Sequence, residues 1–185
     1  MGQTYSSLMK YFFAKPERNI LLYGLGAVGK TSIFNKMQLD EQTYPMPMPD
    51  VCEGMKDMKI FRFYFLDVAR RLTACYKDNF FMNNINAVIF VVDSTDSNSI
   101  DEVNETLNYM LSSEELKNVF FIIFANKQDL PNTLSPTEVA EKIKVQERKR
   151  ICHIQGTSGL TGDGVLEGVE YLHSLFQRRR WFNIL

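Results

Sequence analysis

The chain has 185 residues, of which 45% are hydrophobic, so one domain with a full core is expected rather than a disordered chain. The 21 Lys and Arg residues nearly balance the 22 Asp and Glu residues, which excludes the overall basic field that attracts nucleic acid. Three widely separated cysteines predict neither a disulfide framework nor a zinc site.

Residues 1–17 carry two features typical of membrane-associated proteins. The first six residues fit M-G-x-x-x-[ST], which makes Gly2 a candidate for N-myristoylation. Apolar side chains then recur at the spacing of one helical face, at Tyr5, Leu8, Met9, Phe12 and Phe13. One acyl chain anchors a protein only weakly, so this predicted amphipathic helix would supply the second membrane signal. The same stripe fits a helix that packs on the domain, and a switch that releases the helix would reconcile both interpretations.

Short apolar runs alternate with helical periodicity along residues 18–180, which predicts an α/β domain with a parallel sheet and helices on both faces. Strands are predicted at 20–23, 59–66, 87–92, 119–125 and 151–154, and a helix near 29–38. Two apolar stripes predict further helices that face the core, one with Ile100, Val103, Leu107, Met110 and Leu111, the other with Val165, Leu166, Val169, Leu172 and Phe176. Ser135 and Glu138 are placed as a capping box at a helix start. Residues 181–185 are expected to form a tail.

A phosphate-binding loop is predicted between the first strand and the first helix. Eight consecutive residues fit G-x-x-x-x-G-K-[ST], and Ser32 follows them: Gly24, Leu25, Gly26, Ala27, Val28, Gly29, Lys30 and Thr31. The glycines let backbone N–H groups turn inward around phosphates, and the helix N-terminus adds its positive end. Lys30 would neutralise the outer phosphates, and the Thr31 hydroxyl would bind Mg²⁺. A plain glycine turn is the alternative, and the flanking strand and helix argue against it.

A base-reading loop is predicted after the strand at 119–125, where the sequence reads N-K-Q-D. The Asp129 carboxylate can accept hydrogen bonds from both N1–H and the exocyclic amine of guanine, whereas adenine offers neither donor in that arrangement. Such a site can reject the analogue that lacks the donors by roughly 10⁴-fold. Lys127 can lay its stem along the ring while Asn126 ties the loop together. Ser158 and Gly159, after the last strand, are candidates to contact the base through backbone N–H groups.

With both motifs in this order, residues 2–176 resemble the Arf and Arf-like branch of small GTPases. The matching stretches are 24–32, 66–68, 90–94, 124–132 and 162–168. The resemblance implies a six-stranded, mostly parallel P-loop fold, with GTP, GDP and Mg²⁺ as ligands and Asp67 holding the metal through water. It also implies effector and exchange-factor partners and a regulator of vesicle traffic. Without a signal peptide or a spanning run of roughly 18 apolar residues, we expect a cytoplasmic protein, peripheral on endomembranes such as the Golgi.

Both switch regions depart from the family pattern. Where the family has I-P-T-I-G, with a Thr that binds Mg²⁺ and senses the terminal phosphate, residues 46–50 read M-P-M-P-D. The thioether of Met48 is a poor partner for a hard cation. Where the family has D-x-G-G-Q, residues 67–71 read D-V-A-R-R, so the glycine N–H and the water-orienting Gln are both replaced.

Three functions compete at this point. In the first, a binding module keeps guanine nucleotide and hydrolyses it very slowly or not at all, which we prefer because three contacts to the terminal phosphate and water are missing. In the second, a GTP-hydrolysing switch, Arg70 or Arg71 stabilises charge on the transferring phosphoryl group, as an arginine finger does at roughly 10³–10⁵ in rate. In the third, the chain is an ATP-using P-loop protein, for which 185 residues provide no lid or acceptor domain.

Overall fold

A computed structural model of the chain describes residues 18–37, 43–44, 54–58, 61–65 and 84–182. The strands are β1 Arg18–Gly24, β2 Thr43–Tyr44, β3 Gly54–Met58, β4 Phe61–Phe65, β5 Ile85–Asp93, β6 Phe120–Asn126 and β7 Ile151–Gly156. The helices are α1 Lys30–Lys36, α2 Ile100–Ser112, α3 Pro136–Lys142 and α4 Val165–Phe182. Short 3₁₀ turns occupy Ser97–Ser99 and Val145–Glu147.

These strands form one sheet in the order β2-β3-β4-β1-β5-β6-β7. The pairs from β4 to β7 are parallel, and only β2 and β3 join the sheet antiparallel. Later strands of the chain lie on both sides of β1 in the sheet. Right-handed crossovers therefore place α1 on one face and α2 and α3 on the other. The predicted α/β fold with a mostly parallel sheet is confirmed, and the two-residue β2 brings the described strands to seven.

The centre of the sheet is the core of the domain. Strands β1, β5 and β6 are short continuous apolar runs buried along most of their length, as expected for parallel strands that are covered on both faces. The apolar faces of α2 and α4 cover them with Val103, Leu107, Val169 and Leu172, all buried. Ser135 and Glu138 form the predicted capping box at the start of α3, with both reciprocal hydrogen bonds present.

Two parts of the structure differ from what the sequence predicted. The strand predicted at 59–66 is β4, which is shorter, and β3 was not predicted because Gly54–Met58 has no continuous apolar run. Leu166 was assigned to the buried stripe of α4 but is 41% exposed. The buried stripe has spacings of four, three and four residues from Val165 to Phe176, and Leu166 lies about 100° around the helix from its neighbour Val165.

The helix α4 extends through Arg178 to Phe182, so it continues into the segment predicted as a tail. None of the helices within the described residues is long and apolar enough to cross a membrane.

Candidate functional site

The candidate site lies where the carboxyl ends of β1, β5, β6 and β7 meet. These strands are parallel neighbours, so the residues that follow them emerge at the same edge of the sheet. The connections leave β1 and β5 in opposite directions, which makes a crevice at that edge, the usual ligand site of open α/β sheets. Both predicted loops, after β1 and after β6, are located at this edge.

The loop after β1, predicted to bind phosphate, turns through two left-handed backbone conformations. Ala27 has φ 56°, and Gly29, the residue before α1, has φ 94°, so both lie in the left-handed region. A Cβ added to Gly26 would meet no atom within 4 Å, and Gly26 and Ala27 are exposed. The Lys30 side chain is 4% exposed, and its ammonium donates a 2.6 Å hydrogen bond to the carbonyl of Leu25. The Lys30 ammonium is thus held against the loop that precedes α1.

Asn126, at the end of β6, joins three separate segments through one side chain. Its amide nitrogen donates to the carbonyl of Val28 at 2.8 Å, in the loop after β1. Its amide oxygen accepts from the backbone N–H of Gly159 at 2.8 Å and from the hydroxyl of Thr157 at 3.3 Å, in the loop after β7. Asn126 is 1% exposed, so these bonds are shielded from water. Asn126 was predicted to tie its own loop together, whereas its described side-chain bonds join the loops after β1 and β7.

Two glycines of the site, Gly29 and Gly159, lie where neighbouring segments pack closely against each other. A Cβ on Gly29 would lie 2.4 Å from the Asn126 amide nitrogen. A Cβ on Gly159 would lie 2.9 Å from the Cβ of Ser32, in the first turn of α1. The absence of a side chain at Gly29 therefore leaves room for the Asn126 amide, and its absence at Gly159 leaves room for the first turn of α1.

Asp129 is exposed, and one oxygen of its carboxylate accepts a hydrogen bond from the protein. The hydroxyl of Ser158, which is 2% exposed, donates to one Asp129 oxygen at 2.5 Å. The same hydroxyl oxygen accepts from the N–H groups of Leu160 at 3.2 Å and Thr161 at 3.0 Å, which fixes the orientation of the donor. The arrangement presents an oriented acceptor at the edge of the crevice.

The backbone N–H groups proposed for base contact are used inside the protein. The Ser158 N–H donates to the carbonyl of Asp163 at 2.9 Å, and the Gly159 N–H donates to Asn126. Both N–H groups therefore have acceptors inside the protein, and base contact through them stays a prediction. Ser158 contributes its hydroxyl, and Gly159 contributes close packing against α1.

Lys127 pairs with Asp93, the last residue of β5. The two side chains form an ion pair at 2.5 Å, with 30% of the lysine and 13% of the aspartate side chain exposed. The Lys127 backbone has φ 69°, in the left-handed region, where the chain turns away from β6. Burial raises the pKa of Asp93, and hydrogen bonds from Lys127 and Thr95 lower it by more, so the pKa lies below its ordinary value.

Three further residues contribute to the site, although no role there was predicted for them from the sequence: Asp93, Ser94 and Gln128. The Gln128 amide donates to the Ser94 hydroxyl at 2.9 Å and to the carbonyl of Leu134 at 3.0 Å. These bonds hold the base-reading loop against the segments that contain Ser94 and Leu134. The available signal was the polar pair that directly follows the apolar run of β5, at the same sheet edge as the two motifs.

The metal-binding residues are only partly described. Thr31 is exposed in the first turn of α1, where its hydroxyl is a hard oxygen donor suited to Mg²⁺. The described residues contain no group of three His, Cys, Asp or Glu side chains that could hold a metal by themselves. Gly2, the segment at 46–50, Asp67, Arg70 and Arg71 lie outside the described residues.

The comparisons with known proteins place this fold and edge geometry in a family. The model of the ADP-ribosylation factor (Arf) family matches residues 4–176. The chain belongs to the Arf family. It is an Arf-like small GTPase, a class of nucleotide-binding regulators. A similar solved structure is the Arl6 (BBS3) small GTPase from Trypanosoma brucei with the bound nucleotide analogue GppNp. The two chains share 25% identity with a TM-score of 0.72, and the match covers 88% of this chain and 98% of the other.

Proposed function

We propose that this Arf-like protein binds GTP and GDP together with Mg²⁺ at the carboxyl edge of its sheet. The observation that carries the proposal is the buried side chain of Asn126, which bonds the loop after β1 to the loop after β7. Through this tie, the phosphate cradle and the Asp129 carboxylate belong to one site. The nucleotide analogue bound by the similar Arl6 structure supports the ligand class.

At the phosphate end, backbone N–H groups of residues 24–31 and the start of α1 would donate to the negatively charged phosphates. Lys30 would neutralise charge on the outer phosphates, and its ammonium is already hydrogen-bonded to the carbonyl of Leu25. Thr31 would hold Mg²⁺ with Asp67, and the ion would neutralise phosphate charge when bound. Ser32 follows in the same exposed turn of α1.

At the base end, Asp129 would choose guanine because its two oxygens match the N1–H and exocyclic amine donors. Ser158 holds one of these oxygens, so the carboxylate is oriented before the base arrives. An adenine nucleotide would leave the acceptor unpaired, at a cost of roughly 10⁴-fold in selectivity. Lys127 would lie along the ring.

We propose further that hydrolysis is very slow or absent. The support is the sequence at 46–50 and 67–71, where a methionine replaces the phosphate-sensing threonine and Ala-Arg-Arg replaces Gly-Gly-Gln. A cation such as Arg70 or Arg71 can stabilise charge, but a cation alone does not orient the attacking water. The protein would then act through the partners it binds in a nucleotide-loaded state.

We also propose recruitment to endomembranes, in vesicle traffic, through a myristoylated Gly2 and the apolar stripe of residues 5–13. The support is the N-terminal motif and the balanced charge of the chain, which leaves the acyl chain and the helix as the membrane signals.

The test is to identify the nucleotide that co-purifies and to measure single-turnover cleavage of GTP. The proposal expects guanine nucleotide and a cleavage rate near that of the reaction without protein. Rapid cleavage that is lost in Arg70→Ala or Arg71→Ala would establish the GTP-hydrolysing switch instead. Retention of ATP would overturn the ligand assignment.

A further inference from the structure

We infer that Asp93 is a positioning residue for the nucleotide, acting through Lys127; this inference rests on the proposed function. Asp93 closes β5 and is the register partner of Asn126 in β6. It therefore lies directly beside the point where the base-reading loop leaves the sheet. Neither sequence motif includes it.

The Asp93 carboxylate is fixed at both oxygens. One oxygen accepts from the N–H of Thr95 at 2.9 Å and from the Thr95 hydroxyl at 2.7 Å. The other accepts from the Lys127 ammonium at 2.5 Å. With only 13% of its side chain exposed, Asp93 is a rigid anchor for the lysine head.

Lys127 is consequently held at its two ends. Its backbone is fixed in the left-handed turn between Asn126 and Gln128, and its head is fixed by Asp93. The four-carbon stem between these points is therefore constrained by contacts within the protein. A lysine without this anchor would have to be ordered when the base binds, and immobilising such a side chain costs about three- to tenfold in affinity.

The test measures the dissociation rate of fluorescent GDP from four proteins: wild type, Asp93→Asn, Lys127→Met and the double variant. Asn keeps the acceptor for Thr95 but loses the ion pair, and Met keeps the apolar stem but loses the ammonium. We expect Asp93→Asn to speed dissociation about three- to tenfold in the wild-type background. In the Lys127→Met background it should cause no further change.

A purely structural role of Asp93 would speed dissociation equally in both backgrounds, and that result would overturn the inference. An unchanged rate for Asp93→Asn in the wild-type background would overturn it as well, with the proposed function intact. Failure of the wild-type protein to bind GDP at all would instead refute the proposed function and the inference with it. Glu114→Gln is the matched control, because it removes the exposed pair with Lys117 at 3.2 Å and should leave dissociation unchanged.

Discussion

Replacing Asn126 with Ala should both destabilise the protein and release its nucleotide. The change removes the acceptor of the Gly159 N–H and the donor to the Val28 carbonyl, two buried bonds of 2.8 Å. An unsatisfied buried polar group costs about 1–3 kcal/mol, so the two together cost about 2–6 kcal/mol. For a chain of this size, each kcal/mol lowers Tm by about 2–4 °C.

The assay has two parts, thermal unfolding in excess GDP and the dissociation rate of fluorescent GDP. We expect Asn126→Ala to lower Tm by about 4 °C or more and to speed dissociation by at least about tenfold, because the phosphate loop and the loop after β7 lose their common tie. Asn104→Ala is the matched control: Asn104 also joins two segments, through Lys142 and Arg148, but away from the site. It should lower Tm without changing dissociation. Equal dissociation rates for Asn126→Ala and wild type would refute the reasoning.

Three further predictions follow from single contacts. Gly29→Ala should weaken GDP binding measured by calorimetry, because φ 94° disfavours a side chain and the new Cβ would meet Asn126; unchanged affinity would contradict this. Ser135→Ala should lower the free energy of urea unfolding by about 1 kcal/mol through the lost cap of α3, with GDP dissociation unaffected. Because the pKa of Asp93 is lowered in the folded protein, its stabilising effect is complete above the ordinary value and is lost as the pH falls through the lowered one. The stability difference between wild type and Asp93→Asn should therefore be constant from pH 7 to 5 and shrink only below about pH 4, and a decline already between pH 7 and 5 would be inconsistent with this ion pair.

Local patterns were sufficient to predict the parts of this fold that short segments determine. The loop after β1 could be located from the sequence because its glycines, the preceding apolar strand and the following helix are contiguous. The capping box at Ser135 needs only four residues, and the central strands are continuous apolar runs. The confirmed elements are all determined by residues that lie close together in the sequence.

The contacts that unite the site could not be predicted, because they depend on strand order. Asn126 and Val28 are 98 residues apart, and Asp93 and Lys127 are 34 apart. Each pair meets only because β1, β5 and β6 are adjacent in the sheet. The bond from the Gly159 N–H to Asn126 was not predicted for the same reason, since it joins segments 33 residues apart.

The interpretation of the switch segments and of Gly2 stays a prediction, because these positions lie outside the described residues. The hydrogen bonds described around Asn126 and Asp129 are nonetheless made by residues outside these segments. The tie at Asn126 and the oriented carboxylate of Asp129 are formed with Val28 and residues 157–161, none of which belongs to either switch. Loss of hydrolysis is therefore compatible with retained nucleotide binding.

Calorimetry of wild type and Asp129→Asn with GDP, ADP and xanthosine diphosphate, all with Mg²⁺, tests the assignment of the site most directly. The account predicts that wild type binds GDP and rejects ADP by roughly 10⁴-fold. It also predicts that Asp129→Asn loses GDP and gains the xanthine nucleotide, whose second carbonyl replaces the amine donor. Equal binding of GDP and ADP by wild type, or no binding of GDP at millimolar concentration, would contradict it.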